Sequence, residues 1–390
     1  MRLGVIGASG RGNLLRHVGD IYPGAKVVAC CDVEPGVYEQ CKEHYGADVY
    51  FTTDYRELVK QPLDAVFVTT PDFLHEEHAC ACLERGLAVY LEKPMAITIA
   101  GCDRMLRLAE EHGAKIFVGH NMRYMTYCNR IKQMIAEGAI GEVKAVWTRH
   151  FVAYGGDAYF RDWHSERRYA NTLLLQKGSH DIDIMHWYAG RYTRRVSAFG
   201  SLTVYDKCPR RRPDERGDRL WRPEHYPPLA QTGFSPVIDM EDQSVVIMDM
   251  GDGVTGAYLQ CHFTPDACRN VTVIGTEGRI ENMSDGKIHL WNRRMLEWEE
   301  HDRLMGDVTI DPDDGTTKMD AVEASELTGH GGADARIVRD FLEFVATGKR
   351  TTADPLAARM AVAVGCQAAE SLRNGGMPMD IPPVEGLEGR

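Results

Sequence analysis

The sequence predicts two domains of different architecture. An α/β domain with a parallel, doubly wound sheet comes first, and an α+β domain with an open, mostly antiparallel sheet follows. Three observations carry this reading. Up to about Arg123, short apolar runs alternate with helically spaced segments, the grammar of βαβ units. Beyond it, strand follows strand across short turns, the pattern of an antiparallel sheet with helices on one face. A chain of 390 residues also exceeds what one hydrophobic core usually serves. The boundaries predicted are 1–123 and 124–390.

In the first domain, Leu3–Ile6, Lys26–Cys31, Ala65–Thr69, Ala88–Leu91 and Lys115–Val118 read as strands. Asn13–Gly19, Leu74–Arg85 and Gly101–His112 read as helices. In the second, helices are expected at Asn129–Glu137, Ser179–Tyr188 (stopped by Gly190), Ala333–Ala346 and Pro355–Arg373. Strands are expected at Glu142–Phe151, Val196–Tyr205, Ser244–Met250, Thr255–His262, Asn270–Gly275 and Arg279–Asn282. Lys207–Pro236, rich in Pro and Arg and without period, reads as an insertion: a lid or binding loop, or a passive surface segment. Pro382–Arg390 reads as a tail.

A net charge of −12 argues against nucleic acid or an anionic membrane as partner, since both select basic surfaces. No run of 18 apolar residues occurs, so no spanning helix is expected. Met1-Arg2-Leu3-Gly4-Val5-Ile6 enters a strand at once, and the eleven cysteines lack zinc-type spacing. A cytoplasmic protein with reduced thiols and no bound metal is the expectation.

The first chemical signal is Gly7-Ala8-Ser9-Gly10-Arg11-Gly12, set between a strand and a helical stretch. Glycines there let the backbone turn tightly and approach a pyrophosphate, so the loop reads as a dinucleotide site. Ser9 replaces the middle glycine of the usual pattern, and its hydroxyl is able to donate to a phosphate oxygen. The second strand ends at Asp32, placed to bond the adenosine ribose hydroxyls and to repel a 2′-phosphate. NAD is therefore expected over NADP.

At Leu91-Glu92-Lys93-Pro94 the chain resembles the glucose–fructose oxidoreductase / inositol dehydrogenase / MocA (Gfo/Idh/MocA) family. The likeness extends to Ala65–Pro71 with His75, Gly119-His120-Asn121-Met122-Arg123, Tyr159–Trp163, Gly178–Asp183 and Gly331-Gly332-Ala333-Asp334. It implies a Rossmann domain that binds NAD, and a C-terminal domain that binds substrate and pairs with other copies through its sheet. Gly7, Ser9, Gly10, Arg11, Gly12, Asp32, Thr69, Thr70, Pro71, His75, Glu92, Lys93 and Asn121 are then the cofactor candidates.

Dehydrogenation of an alcohol needs a hydride acceptor, a base for the hydroxyl proton and a cation to polarise the oxygen. Lys93, at a parallel strand's carboxyl end, suits the cation. His180 falls where the family places its catalytic histidine, and an imidazole titrates near neutrality. Many relatives carry an aspartate four residues before that histidine; here it is Gln176, and the adjacent Lys177 is the candidate to replace it. Asp183, one helical turn after His180, is a candidate support for the imidazole. Arg161, Trp163, His164, Gln176, Lys177, His180 and His330 make up the expected sugar-binding set, with aromatic faces for C–H faces and polar groups for hydroxyls. The function expected is reversible oxidation of a secondary alcohol on a sugar, cyclitol or glycoside. Two rivals remain open: an NAD-dependent glycosidase working by transient oxidation and elimination, and a non-enzymatic cofactor-binding sensor.

Overall fold

The computed structural model describes residues 1–217, 222–282, 287–292, 306–308, 330 and 332–384. The chain divides into two units, Met1–Cys128 with Asp311–Arg359, and Asn129–Ile310 with Met360–Arg390.

The first unit is built on β1 (Arg2–Ile6), β2 (Lys26–Cys31), β3 (Tyr50–Thr52), β4 (Ala65–Val68), β5 (Ala88–Leu91) and β6 (Ile116–Val118). They form one sheet in the order β3-β2-β1-β4-β5-β6, and every neighbouring pair is parallel. β4 and β5 are buried along their whole length, which is why they read as unbroken apolar runs rather than alternating ones. β3 escaped prediction because it is a three-residue edge strand with no interior run.

Helices His75–Leu83 and Ile99–Glu111 form where expected; the second starts at Thr98, whose side chain accepts from the Gly101 amide. The helix expected at Asn13–Gly19 does not form as one element. A 3-10 helix covers Gly10–Leu15 and a single α-turn covers Val18–Ile21. Glycines at 10, 12 and 19 are the physical reason, since each disfavours continuous helix.

One domain expectation is corrected. Helix Ala333–Thr347, predicted in the second domain, belongs to the first unit: Ala333, Ile337 and Phe341 share a core with Leu3, Val5, Phe67, Tyr90 and Phe117. Phe341 meets Phe67 edge-on at 5.1 Å between ring centres. Chain order placed it behind the second sheet; its apolar face is matched instead to the first.

The second unit carries a nine-stranded sheet in the order β14-β13-β12-β11-β7-β10-β9-β8-β15. Its strands are β7 (Val143–Phe151), β8 (Arg195–Ser201), β9 (Gln243–Asp249), β10 (Thr255–Cys261), β11 (Cys268–Gly275), β12 (Gly278–Asn282), β13 (Ile288–Asn292), β14 (Gly306–Val308) and β15 (Met379–Asp380). β7 and β10 run parallel and the other pairs antiparallel. Helix Gly178–Ala189 packs on β7 and ends at Gly190, whose φ of 67° is the left-handed stop that glycine permits.

The 207–236 insertion is more ordered than its composition suggests. It holds 3-10 turns at Pro223–His225 and Pro228–Ala230. Cys208 and Phe234 are buried in a cluster with Val152, Tyr159, Phe160 and Met240. All eleven cysteines are free thiols, and among the described residues no helix is long and apolar enough to cross a membrane.

Candidate active site

In the first unit, β1 turns into the glycine loop at Gly7, whose φ is +86°. A Cβ there would lie 2.9 Å from the backbone of Thr69 and Thr70, and one at Gly12 would strike the Gly7 carbonyl. Both glycines are therefore demanded by close approach. Gly10, also at positive φ, faces open space. Thr69 closes the turn from β4, donating its hydroxyl to the Gly7 carbonyl at 2.7 Å.

Ser9 has a partner within the protein. Its amide and its hydroxyl both donate to Asp32 Oδ2, each at 3.0 Å, while Glu34 N donates to Oδ1 at 2.9 Å. Asp32 thus clamps the loop to the end of β2, and the serine substitution is explained by that clamp. His75 also departs from expectation. It is fully buried, with Nδ1 2.7 Å from the Pro94 carbonyl and Nε2 2.8 Å from that of Thr70. It braces the ends of β4 and β5 against each other rather than reaching a ligand, because a neutral ring needs partners once burial disfavours its charge. Thr70 bonds His78, and Pro71 precedes the 3-10 turn Asp72–Leu74.

Lys93 lies two residues past the end of β5, half-buried, and its peptide bond to Pro94 is cis. Beside it Glu92, almost fully buried, accepts from Arg11 Nη2 at 2.8 Å. Arg11 reaches Asp334 Oδ2 at 2.9 Å, where His330 Nδ1 also lies at 2.9 Å. Asn121 Nδ2 donates to the other Asp334 oxygen at 3.4 Å. Burial alone would raise the Asp334 carboxyl, but the bonds from His330 and Arg11 outweigh it and hold it at about 2. His330, expected at the substrate, instead contacts Asp334, with a φ of +57°.

The second unit's chemistry rests on three adjacent strands. Register puts Arg269 of β11 opposite His150 of β7, and His150 opposite Gln260 of β10. Asp181, from the helix above this row, ties it together. Its Oδ1 lies 2.9 Å from Arg269 Nε, and its Oδ2 is 3.0 Å from both His150 Nδ1 and the Tyr258 hydroxyl.

Lys177 immediately precedes that helix, its ammonium 5.4 Å and 5.9 Å from the ring centres of Tyr154 and Tyr159. Burial lowers its pKa, Arg269 lowers it further, and Asp181 opposes them, leaving it at about 7. From Thr172 to His186 every residue is buried except Lys177 and His180, one helical turn apart. Gln176 and Asp183 are among the buried ones, at 7% and 1% exposure.

Arg161 is placed differently from the expected hydroxyl ligand. It is 6% exposed, donating to Asp157 at 2.9 Å and to the Thr232 carbonyl at 2.8 Å. A buried guanidinium requires such partners, and these anchor the 207–236 insertion; His225 adds a second anchor, 2.9 Å from Asp157. His164 is buried, 2.7 Å from Asp162 and stacked on Trp163 at 3.6 Å, with Trp163 half-buried.

Asp334, Asp181, His150, Tyr258 and Arg269 were missed by sequence reasoning. Asp181 adjoins His180 and Asp334 opens a helix, so both were visible. The pairing of His150 with Arg269, 119 residues apart, left no local signal.

A parallel sheet whose first strand turns into a glycine loop at Gly7 defines a dinucleotide-binding unit of the Rossmann class. Residues 1–120 match the model of the Gfo/Idh/MocA oxidoreductase family, described by its NAD-binding Rossmann fold, and residues 128–281 match that family's C-terminal domain. The chain belongs to this family. It is 33% identical over 192 residues to inositol 2-dehydrogenase/D-chiro-inositol 3-dehydrogenase of Halalkalibacterium halodurans, covering 48% of this chain and 52% of that one. It is 26% identical over 202 residues to inositol 2-dehydrogenase of Salmonella typhimurium, covering 51% and 57%. The matches thus span about half the length of these relatives. In structure it resembles levoglucosan dehydrogenase solved with NADH and levoglucosan, with a TM-score of 0.78, 18% identity, and coverage of 98% and 100%.

Proposed function

We propose that this protein reversibly oxidises a secondary alcohol of a sugar, cyclitol or glycoside, with NAD as hydride acceptor. The observation that carries the proposal is the surfacing of Lys177 and His180 alone from an otherwise buried stretch, one turn apart. Two titratable side chains kept accessible there suit proton exchange with a substrate hydroxyl. The inositol and levoglucosan dehydrogenases it resembles support the substrate class.

The glycine loop fits NAD: Gly7 and Gly12 allow the tight turn, and Gly10 leaves an open face. Gly7, Ser9, Gly10, Arg11 and Gly12 would hold the pyrophosphate half and Asp32 the adenosine ribose. Thr69, Thr70, Pro71, Glu92, Lys93 and Asn121 would line the nicotinamide half. When bound, NAD supplies the hydride acceptor. Lys93 donates a hydrogen bond to the reacting oxygen and stabilises its developing negative charge. His180 takes the hydroxyl proton, and Lys177, half neutral near pH 7, exchanges it onward. NAD is preferred over NADP because Asp32 and Glu34 put negative charge where a 2′-phosphate would sit, and no Arg or Lys occurs between 33 and 36.

The sheet of the second unit supports self-association. Phe199, Val245, Ile247, Leu259 and Trp147 lie on its exposed face, and register sets Val245 between Phe199 and Leu259, and Ile247 opposite Ala257. A contiguous apolar surface of this kind is usually covered.

The test is a screen of cyclitols, aldoses and glycosides with NAD and NADP, following NADH absorbance and sugar products together. Net NADH formation with a higher kcat/KM for NAD is expected. Product formation without net NADH would favour transient oxidation, and no turnover on any substrate would defeat the proposal.

A further inference from the structure

Around Lys177 the charges do not balance. The titratable and charged groups near it come from every element packed there: Tyr154 and Tyr159, Asp181 from its own helix, His150 from β7, His262 just past β10 and Arg269 from β11. Burial keeps His150 and His262 neutral, His150 titrating at about 4 and His262 well below its usual value. Of these groups, all among the described residues, that leaves two cations, Lys177 and Arg269, and one anion, Asp181. Asp181 is already occupied by Arg269, His150 and Tyr258. An ammonium only partly in contact with water and without a counter-charge of its own holds its proton less firmly than a solvated one, and Lys177 is in that position.

Hydrogen-bonding capacity is also left over beside it. His262, whose ring meets Tyr159 edge-on at 5.2 Å, is 1% exposed, and its Nδ1 has no hydrogen-bond partner among the described residues. Its Nε2 contacts the Gln260 amide, and Gln260 Oε1, likewise buried, has none either. Buried polar atoms are normally satisfied, by protein, water or a ligand. An excess cation and spare polar atoms at one place suit a site whose counter-charge arrives with the ligand.

We propose that the substrate is an anionic sugar, a polyol bearing a carboxylate that lies against Lys177 with Arg269 behind it. This deepens the hydride-transfer reading and rests on it for the reaction, though the binding is separable. A carboxylate bound there fixes the proton on Lys177, so binding above neutral pH draws in a proton.

The experiment is titration calorimetry on the NADH-bound protein at pH 8, with D-glucuronate and D-galacturonate against D-glucose and myo-inositol. Repeating it in HEPES and Tris reads proton uptake from their different ionisation heats. The acids should bind about tenfold or more tighter than the neutral sugars, with close to one proton taken up. Lys177→Gln, which leaves the Asp181–Arg269 pair intact, should abolish both the preference and the uptake while retaining NADH affinity. Neutral sugars binding as well as the acids, acid binding without proton uptake, or no acid binding at millimolar concentration would each overturn the proposal. Acid binding without any NADH formation from NAD would instead defeat the hydride-transfer reading and leave this one standing. Oxidation of inositol or glucose with no acid preference would do the reverse.

Discussion

Around the glycine loop opposite charges are paired: Arg11 lies between Glu92 and Asp334 with contacts of 2.8 and 2.9 Å, and His330 Nδ1 lies 2.9 Å from the same Asp334. Around Lys177 two cations share one carboxylate, and the lysine is held at about 7. The difference separates two uses of buried charge. Paired charge fixes a shape, here the loop, β5 and helix Ala333–Thr347 of the first unit. Unpaired charge leaves a group near its titration point, ready to move a proton. The lesson is that the paired charges around the glycine loop should answer substitution in stability and affinity, and the Lys177 cluster in rate and pH dependence.

The largest effect is expected in the second unit. His180→Asn should depress kcat/KM for alcohol oxidation by ~10²–10⁴, the span of general acid–base loss. In the parent, log kcat/KM for a neutral polyol, which leaves the proton on Lys177 free to exchange, should rise with pH as Lys177 becomes neutral and level off above about 7. Lys177→Arg, permanently charged, should erase that limb. If the limb vanishes in His180→Asn and persists in Lys177→Arg, the limb belongs to the histidine alone, Lys177 has no part in the proton route, and the contrast loses its second half.

Lys93→Ala should lower kcat by ~10²–10³ and leave NADH affinity unchanged, since the lysine acts on charge that grows in the transition state. Stopped-flow turnover and NADH titration on one sample decide this. A proportional loss of NADH affinity would move Lys93 from the reaction to the cofactor.

A smaller effect should follow from breaking the paired chain. Arg11→Met should cost roughly 1–3 kcal/mol in urea denaturation and raise KM for NAD more than it lowers kcat. The pH dependence carries a matching signature. Asp334 titrates at about 2 when folded against 3.8 as a free side chain, so it contributes about 2 kcal/mol above pH 4, lost as pH falls toward 2. A variant with parental stability and KM would mean the ion pairs do not organise the loop.

The smallest change in the folded unit itself is expected at Ile247→Asp, 59% exposed in the parent. Stability of the chain should move by no more than about 0.5 kcal/mol. Sedimentation should nevertheless show a smaller species than the parent; an identical profile would remove the sheet face as the association surface.

How much was legible in the sequence follows from how local each signal is. Periodicity placed β1, β2, β4, β5 and helix Gly178–Ala189 within a residue or so, because burial of a strand or a helical face repeats along the chain. Gly7, Gly12, Asp32 and Lys93 were visible because turn geometry and strand ends constrain residue type where they stand, and His180 was marked by the family resemblance. Tertiary structure alone decided which unit Ala333–Thr347 joins, since its apolar face suits either sheet until packing selects one. It also decided that Ser9 faces Asp32, that His75 and Arg161 brace the fold, and that β11 brings Arg269 to His150. A side chain's partner in space depends on strand order and register, which pair residues more than a hundred positions apart. The acidity of a buried group depends on those partners, so the character of Lys177 was set by the fold rather than by its neighbours in the chain.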